Sequence, residues 1–152
     1  MKQFRYRLET VLDYKTQVLD NLKTEHAVII QNVNRKQEEI RGLHRELAGF
    51  EQDFDRAKAE GSPIEHYRLF DMCIGRMEEI IDEEKERLKA LRRQEEEKKQ
   101  QVITAKVDTS KFEKLREKKL REYQKAAAKA DETFIEEFVS AGALRIRHQH
   151  RG

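Results

Sequence analysis

Five histidines, one cysteine and thirty acidic residues are the groups in this chain that could hold a metal or act as nucleophile or proton carrier. Their spacing argues against each role. His148 and His150 stand two apart near the C-terminus, but no third ligand lies close to them, and a solvated tail is the stronger reading. His26 falls inside a repeating apolar pattern, where a polar residue that tunes helix register is favoured over a ligand. Cys73 sits beside Ile74 in an apolar stretch and reads as a small, buried, structural thiol. The acidic clusters 78–86 and 95–97 read as solvated helix faces. There is no Gly-rich phosphate loop, no Ser/His/Asp arrangement and no pair of cysteines. No catalytic, cofactor or metal residue is assigned, and the chain is expected not to be an enzyme.

The basic run Lys111-Phe-Glu-Lys-Leu-Arg-Glu-Lys-Lys-Leu-Arg121 invites a different chemistry, the binding of phosphate backbones. Acidic residues interrupt it, however, and the net charge of the whole chain is only +2. Nucleic acid is therefore disfavoured as a partner, which leaves a protein docking site or an ordinary solvated face.

The elements carrying these groups follow from composition and period. Charged residues make up 41% of the chain and aromatics 7%, with one Pro and no Trp, a balance suited to long helices and poor for a compact core. No segment resembles a signal peptide and no apolar run is long enough to span a membrane, so a cytosolic location is expected. Steps of three and four from Leu12 visit Leu12, Lys15, Leu19, Leu22, His26, Ile29, Val33, Lys36, Ile40, Leu43, Leu47, Phe50, Phe54 and Ala57. Eleven of these fourteen are apolar, a heptad seam sustained without a slip. Lys15 and Lys36 can lay their stems along it.

The seam stops at Glu60-Gly-Ser-Pro-Ile-Glu65. Gly61 suits a positive φ after a helix end, Ser62 an N-cap, Pro63 the first helical position, and Glu65 the closing residue of a capping box. A second seam then runs through Tyr67, Phe70, Ile74, Met77, Ile81, Glu84, Leu88, Leu91, Glu95, Lys98, Val102, Ala105, Thr109 and Phe112. Beyond Phe112 it slips by one, to Leu120, Tyr123, Ala127, Ala130 and Phe134, as a stutter does. The fold expected is all-α: a long two-helix antiparallel coiled-coil hairpin forming one unit over 1–152. Helix one covers about 5–59, the turn 60–63, an overhanging second helix about 63–141 with Gly142 as its cap, and a basic tail 142–152.

With the turn near residue 61, paired positions have numbers adding to about 122. The second helix then continues about 24 residues, or about 36 Å, past its partner. Residues 118–141 of this overhang lack an intramolecular partner yet carry Tyr123, Phe134, Ile135 and Phe138, which reads as a binding surface. Charge is sorted as well. Residues 46–86 hold 13 acids against 5 bases, whereas 98–125 hold 10 bases against 4 acids. Oppositely charged regions suggest two different protein partners.

Two segments resemble the flagellar export protein FliJ family. They are the opening Phe4-Arg-Tyr-Arg-Leu8-Glu-Thr-Val11-Leu12-Asp-Tyr-Lys15, and Phe112-Glu-Lys-Leu115-Arg-Glu-Lys-Lys-Leu-Arg-Glu-Tyr123 with Ala130-Asp-Glu132. The resemblance implies a cytosolic, non-enzymatic stalk and adaptor of the flagellar type III export apparatus. It implies docking on the ring of the export ATPase FliI, contact with the export gate protein FlhA, and escort of export chaperones. Peripheral association with the cell membrane would then come through these partners, and no cofactor is implied. It places Leu8, Leu12, Phe112, Leu115, Lys118, Tyr123, Phe134 and Phe138 at the ATPase-binding end. It places Leu47, Phe50, Phe54, Cys73, Met77 and Ile80 in the region near the turn that meets the gate. A monomeric hairpin is expected. The alternatives from the same residues are the stalk of a virulence-type secretion ATPase and a generic homo-oligomeric coiled-coil scaffold.

Overall fold

The computed structural model describes residues 2–151 and consists of two helices, α1 (Glu9–Glu60) and α2 (Ile64–Gln149). It is an all-α helical hairpin in which α2, with 86 residues, is longer than α1, with 52. No strand occurs among the described residues. The chain divides into two compact units, Met1–Val18 with Ala105–Gly152, and Leu19–Thr104. Each unit takes part of both helices.

In the unit Leu19–Thr104 the helices meet along the predicted seams. Leu19, Ile40 and Ile81 are buried, at 7%, 7% and 3% exposure, and the other seam residues are half-buried except Phe50 at the margin. Polar pairs fix the register: Glu25 faces Lys98, His26 faces Glu95 and Lys36 faces Glu84. In each pair the numbers add to roughly 122, as the turn position requires. The polar seam residues thus meet one another, so none is left as an unmatched charge against hydrocarbon. No buried side-chain polar atom among the described residues lacks a partner.

The turn spans 61–63, with Gly61 at φ 79°, a left-handed conformation that suits glycine. Ser62 does not close the expected capping box, since no Ser62–Glu65 side-chain bond is formed. Its backbone N–H instead donates to the Tyr67 hydroxyl, which donates in turn to the Ala57 carbonyl. One side chain thereby ties the end of α1 to the turn. Phe54 stacks on Phe70 at 5.3 Å and carries the Lys58 ammonium 3.8 Å from its centroid.

In the other unit the expected boundaries need two corrections. Helix one starts at Glu9, not near residue 5, and residues 2–6 are non-helical. Phe4 and Tyr6 explain why. In an extended segment, residues two apart point to the same side, whereas a helix would turn them about 200° apart. Phe4 packs against Tyr123 with centroids 5.5 Å apart. Tyr6 is buried and donates its hydroxyl to the Phe112 carbonyl at 3.0 Å. The second correction concerns the tail. Helix α2 passes through Gly142 and continues to Gln149. An internal glycine costs a helix about 1 kcal/mol relative to alanine, which the flanking Ala141, Ala143 and Leu144 tolerate.

Candidate partner-binding surfaces

The residues expected at the ATPase-binding end fall into three structural groups. Leu12 is 8% exposed and belongs to the packing between helices, so it presents nothing to a partner. Phe112 is half-buried beneath Tyr6, with the Lys15 ammonium 5.9 Å from its ring. Lys15 itself pairs with Asp108 at 2.7 Å, and buried Thr109 donates to the Ala105 carbonyl. These residues are interior.

The second group lines a groove. Residues 2–8 lie along α2 and enclose with it a cleft of about 860 Å³, whose walls include Phe4, Leu8, Leu115, Lys119 and Tyr123. The Tyr123 hydroxyl donates to the Lys2 carbonyl at 2.5 Å, while Arg116 reaches Glu9 at 2.9 Å and lies over Phe4. Tyr123 therefore has an intramolecular partner, which corrects the expectation that the chain is uncovered from 118. Shielding at Leu120, Tyr123 and Ala127 follows the predicted slip of the seam that far, whereas its last members, Ala130 and Phe134, are exposed. Lys118 points to solvent.

The third group is bare. From residue 128 every described side chain of α2 except Gly142 is exposed, and Phe134 and Phe138 stand 68% and 72% open. Ile135, Val139, Leu144 and Ile146 are also exposed. Of these, Leu144 and Ile146 were hidden from sequence reasoning because Gly142 was read as the helix end. Continuing the helical period past that glycine would have found them.

Near the turn, Phe50 and Cys73 meet in a small apolar groove of about 300 Å³ together with His66, Leu69 and Phe70. Leu47, Phe54, Met77 and Ile80 are half-buried and lie outside its lining. Leu69 and Met72, 55% and 66% exposed, were missed. Their signal was present in the sequence, as apolar residues off the seam and three apart.

Lys36 and Glu84 join the two helices through charge. Lys36 lies 2.8 Å from Glu39 and 2.7 Å from Glu84, and Glu84 also pairs with Arg87. The hydrogen bonds it donates to Glu39 and Glu84 hold the Lys36 ammonium above its usual range, and the bond accepted from Lys36 holds the Glu84 carboxyl below its own. A carboxyl with a lower pKa in the folded state stabilises above its unfolded value and loses that contribution as pH falls through the folded one. The Lys36 contribution is present below the unfolded lysine value and is lost as pH rises through the folded one. Thermal unfolding should therefore show a wild-type advantage over Glu84→Gln at neutral pH that shrinks on acidification below the carboxylate range. An advantage unchanged in strong acid would contradict the pairing.

Among the described residues no cluster of histidine, cysteine or acidic side chains could hold a metal ion, and no helix is long and apolar enough to cross a membrane. What the geometry offers is surface: one basic-rimmed groove, one apolar groove and one bare helix face. A family model described as flagellar FliJ protein matches residues 4–147 of the chain. No curated protein and no solved structure matches.

Proposed function

The chain belongs to the flagellar FliJ family, whose members are components of the flagellar export apparatus, and we propose that it serves there as a stalk and adaptor without catalytic groups. In this reading the bare end of α2, with Phe134 and Phe138 foremost, docks on the ring of the export ATPase. The groove lined by Leu8, Leu115 and Tyr123 holds the adjoining contact, with Lys118 at its margin. The apolar groove of Phe50 and Cys73, flanked by exposed Leu69 and Met72, meets the export gate. Export chaperones ride on the same adaptor. The protein works in the cytoplasm and reaches the membrane through these partners, as a monomer at cellular dilution.

The observation that carries the reading is an apolar helix face left uncovered on a chain matched to this family over 4–147. Large exposed apolar surface on a soluble protein marks an interaction site. ATP turnover by the purified ring, measured with and without the chain, tests the reading. A rise is expected, and unchanged turnover overturns it.

A further inference from the structure

The groove between residues 2–8 and α2 has an apolar floor and basic edges. Leu115, Lys119 and Tyr123 line it from α2, within about 80° of one another on a helix of 3.6 residues per turn, and Phe4 and Leu8 complete the floor. Phe4 and Tyr6 turn toward α2, so Arg5 and Arg7, which alternate with them, stand exposed along one edge. At the other edge are Lys111 and Lys118, exposed and about 40° and 60° from Leu115 on the side away from Tyr123. No acid lines the groove. Between 111 and 125, Glu122 is the one acid on this side of α2, and it pairs with Lys119. Glu113 and Glu117 lie about 20° from the point opposite Leu115, and Glu9 pairs with Arg116. Arg5, Arg7, Lys111 and Lys118 form no ion pair among the described residues.

We propose that this groove takes an acidic, amphipathic helical segment of a protein partner. Its apolar side chains seat on Leu8, Leu115 and Tyr123, and its acids lie along both basic edges. Charge and shape together select this occupant. An anionic bilayer presents a plane of headgroups, which meets exposed bases but does not enter a recessed apolar floor. Single-stranded nucleic acid needs free aromatic faces on which to stack its bases, and Phe4 and Tyr123 are packed on each other. A helix with acids on either side of an apolar stripe matches the floor and both edges at once. From Leu115 to Tyr123 the groove runs about 12 Å along α2, room for about two turns of the partner.

The proposal rests on the reading of this groove as a partner contact and adds the chemistry of what binds there. It is measured with a peptide and no ATPase ring present, whereas the proposed function is measured by ring turnover, so each can fail alone.

The probe is a labelled helical peptide of about 18 residues, long enough to hold its helix, with a leucine stripe flanked on both sides by glutamates. Titrated with the full chain at physiological salt and read by fluorescence anisotropy, it is expected to bind in the micromolar range. No binding at submillimolar chain overturns the proposal. Replacing its glutamates by glutamine, or its leucines by serine, is expected to weaken binding at least about tenfold. A glutamine peptide or a serine peptide that binds as well as the parent overturns it too. In the chain, Arg5→Glu and Lys118→Glu, one at each edge and both exposed, are each expected to cost about tenfold. Lys106→Glu makes the same change in net charge on the side of α2 opposite Leu115, and is expected to cost less than about threefold because salt screens it there. Equal losses from Lys106→Glu and Lys118→Glu would reduce the effect to net charge and overturn the site. Displacement of the peptide by a single-stranded oligonucleotide or by anionic phospholipid vesicles at matched charge would overturn the assignment to protein.

Discussion

Deleting residues 128–152 is expected to abolish stimulation of the export ATPase while leaving the unfolding temperature of the remaining chain unchanged. The segment removed packs against nothing: its described residues from 128 onward are exposed except Gly142. The cut falls after Ala127, so Tyr123 keeps its bond to Lys2 and its packing on Phe4. A deletion from 118 would be a poorer experiment, because it would strip the cover from Phe4 and Tyr6 and mix a folding defect with a binding defect. The smaller change Phe134→Glu with Phe138→Glu is expected to act in the same direction. Burying two phenylalanines against a partner contributes about 3 kcal/mol or more, over a hundredfold in affinity. Stimulation by the deleted chain equal to that of the full chain would show that the ring grips elsewhere.

Ile81→Ala is expected to cost about 2–4 kcal/mol of stability, the largest loss from any single truncation in the hairpin. Ile81 is the most buried apolar residue at 3% exposure, and the register set by Lys36 and Glu84 brings Ile40, at 7%, to the same level. The cavity would open between two buried isoleucines, and long helices have little lateral structure with which to close it. Ile103, 45% exposed, provides the control. Its truncation is expected to cost within about 0.5 kcal/mol, as surface changes do. Urea unfolding followed by helicity measures both, and equal losses would contradict the assignment of the seam.

Much of this was legible in the sequence, because a heptad seam declares itself by type and spacing alone. Every residue of the first seam except Phe50 is shielded, and so is every residue of the second as far as Phe112. Even the polar members Lys15, His26 and Lys36 were readable as register-setting residues. Their individual partners were not, because the alignment of two helices depends on the turn as well as on the pattern. The N-terminal cover was missed for a different reason. Phe4 and Tyr6 are too few to declare an extended period, and their partners Tyr123 and Phe112 lie more than a hundred residues away. The helix end was misplaced because glycine weakens a helix without ending it, and the residues around Gly142 are good helix formers. That misreading hid Leu144 and Ile146, which extend the exposed apolar surface beyond Phe138.

The central claim is that a partner grips this hairpin by the bare end of α2. Photo-crosslinking to the purified export ATPase ring tests it most directly, with a benzophenone side chain placed in turn at Phe138 and at Val28, exposed positions of α2 and α1 respectively. The account predicts an ATPase adduct from position 138 and none from position 28. Adducts of equal yield from both, or from position 28 alone, would contradict it.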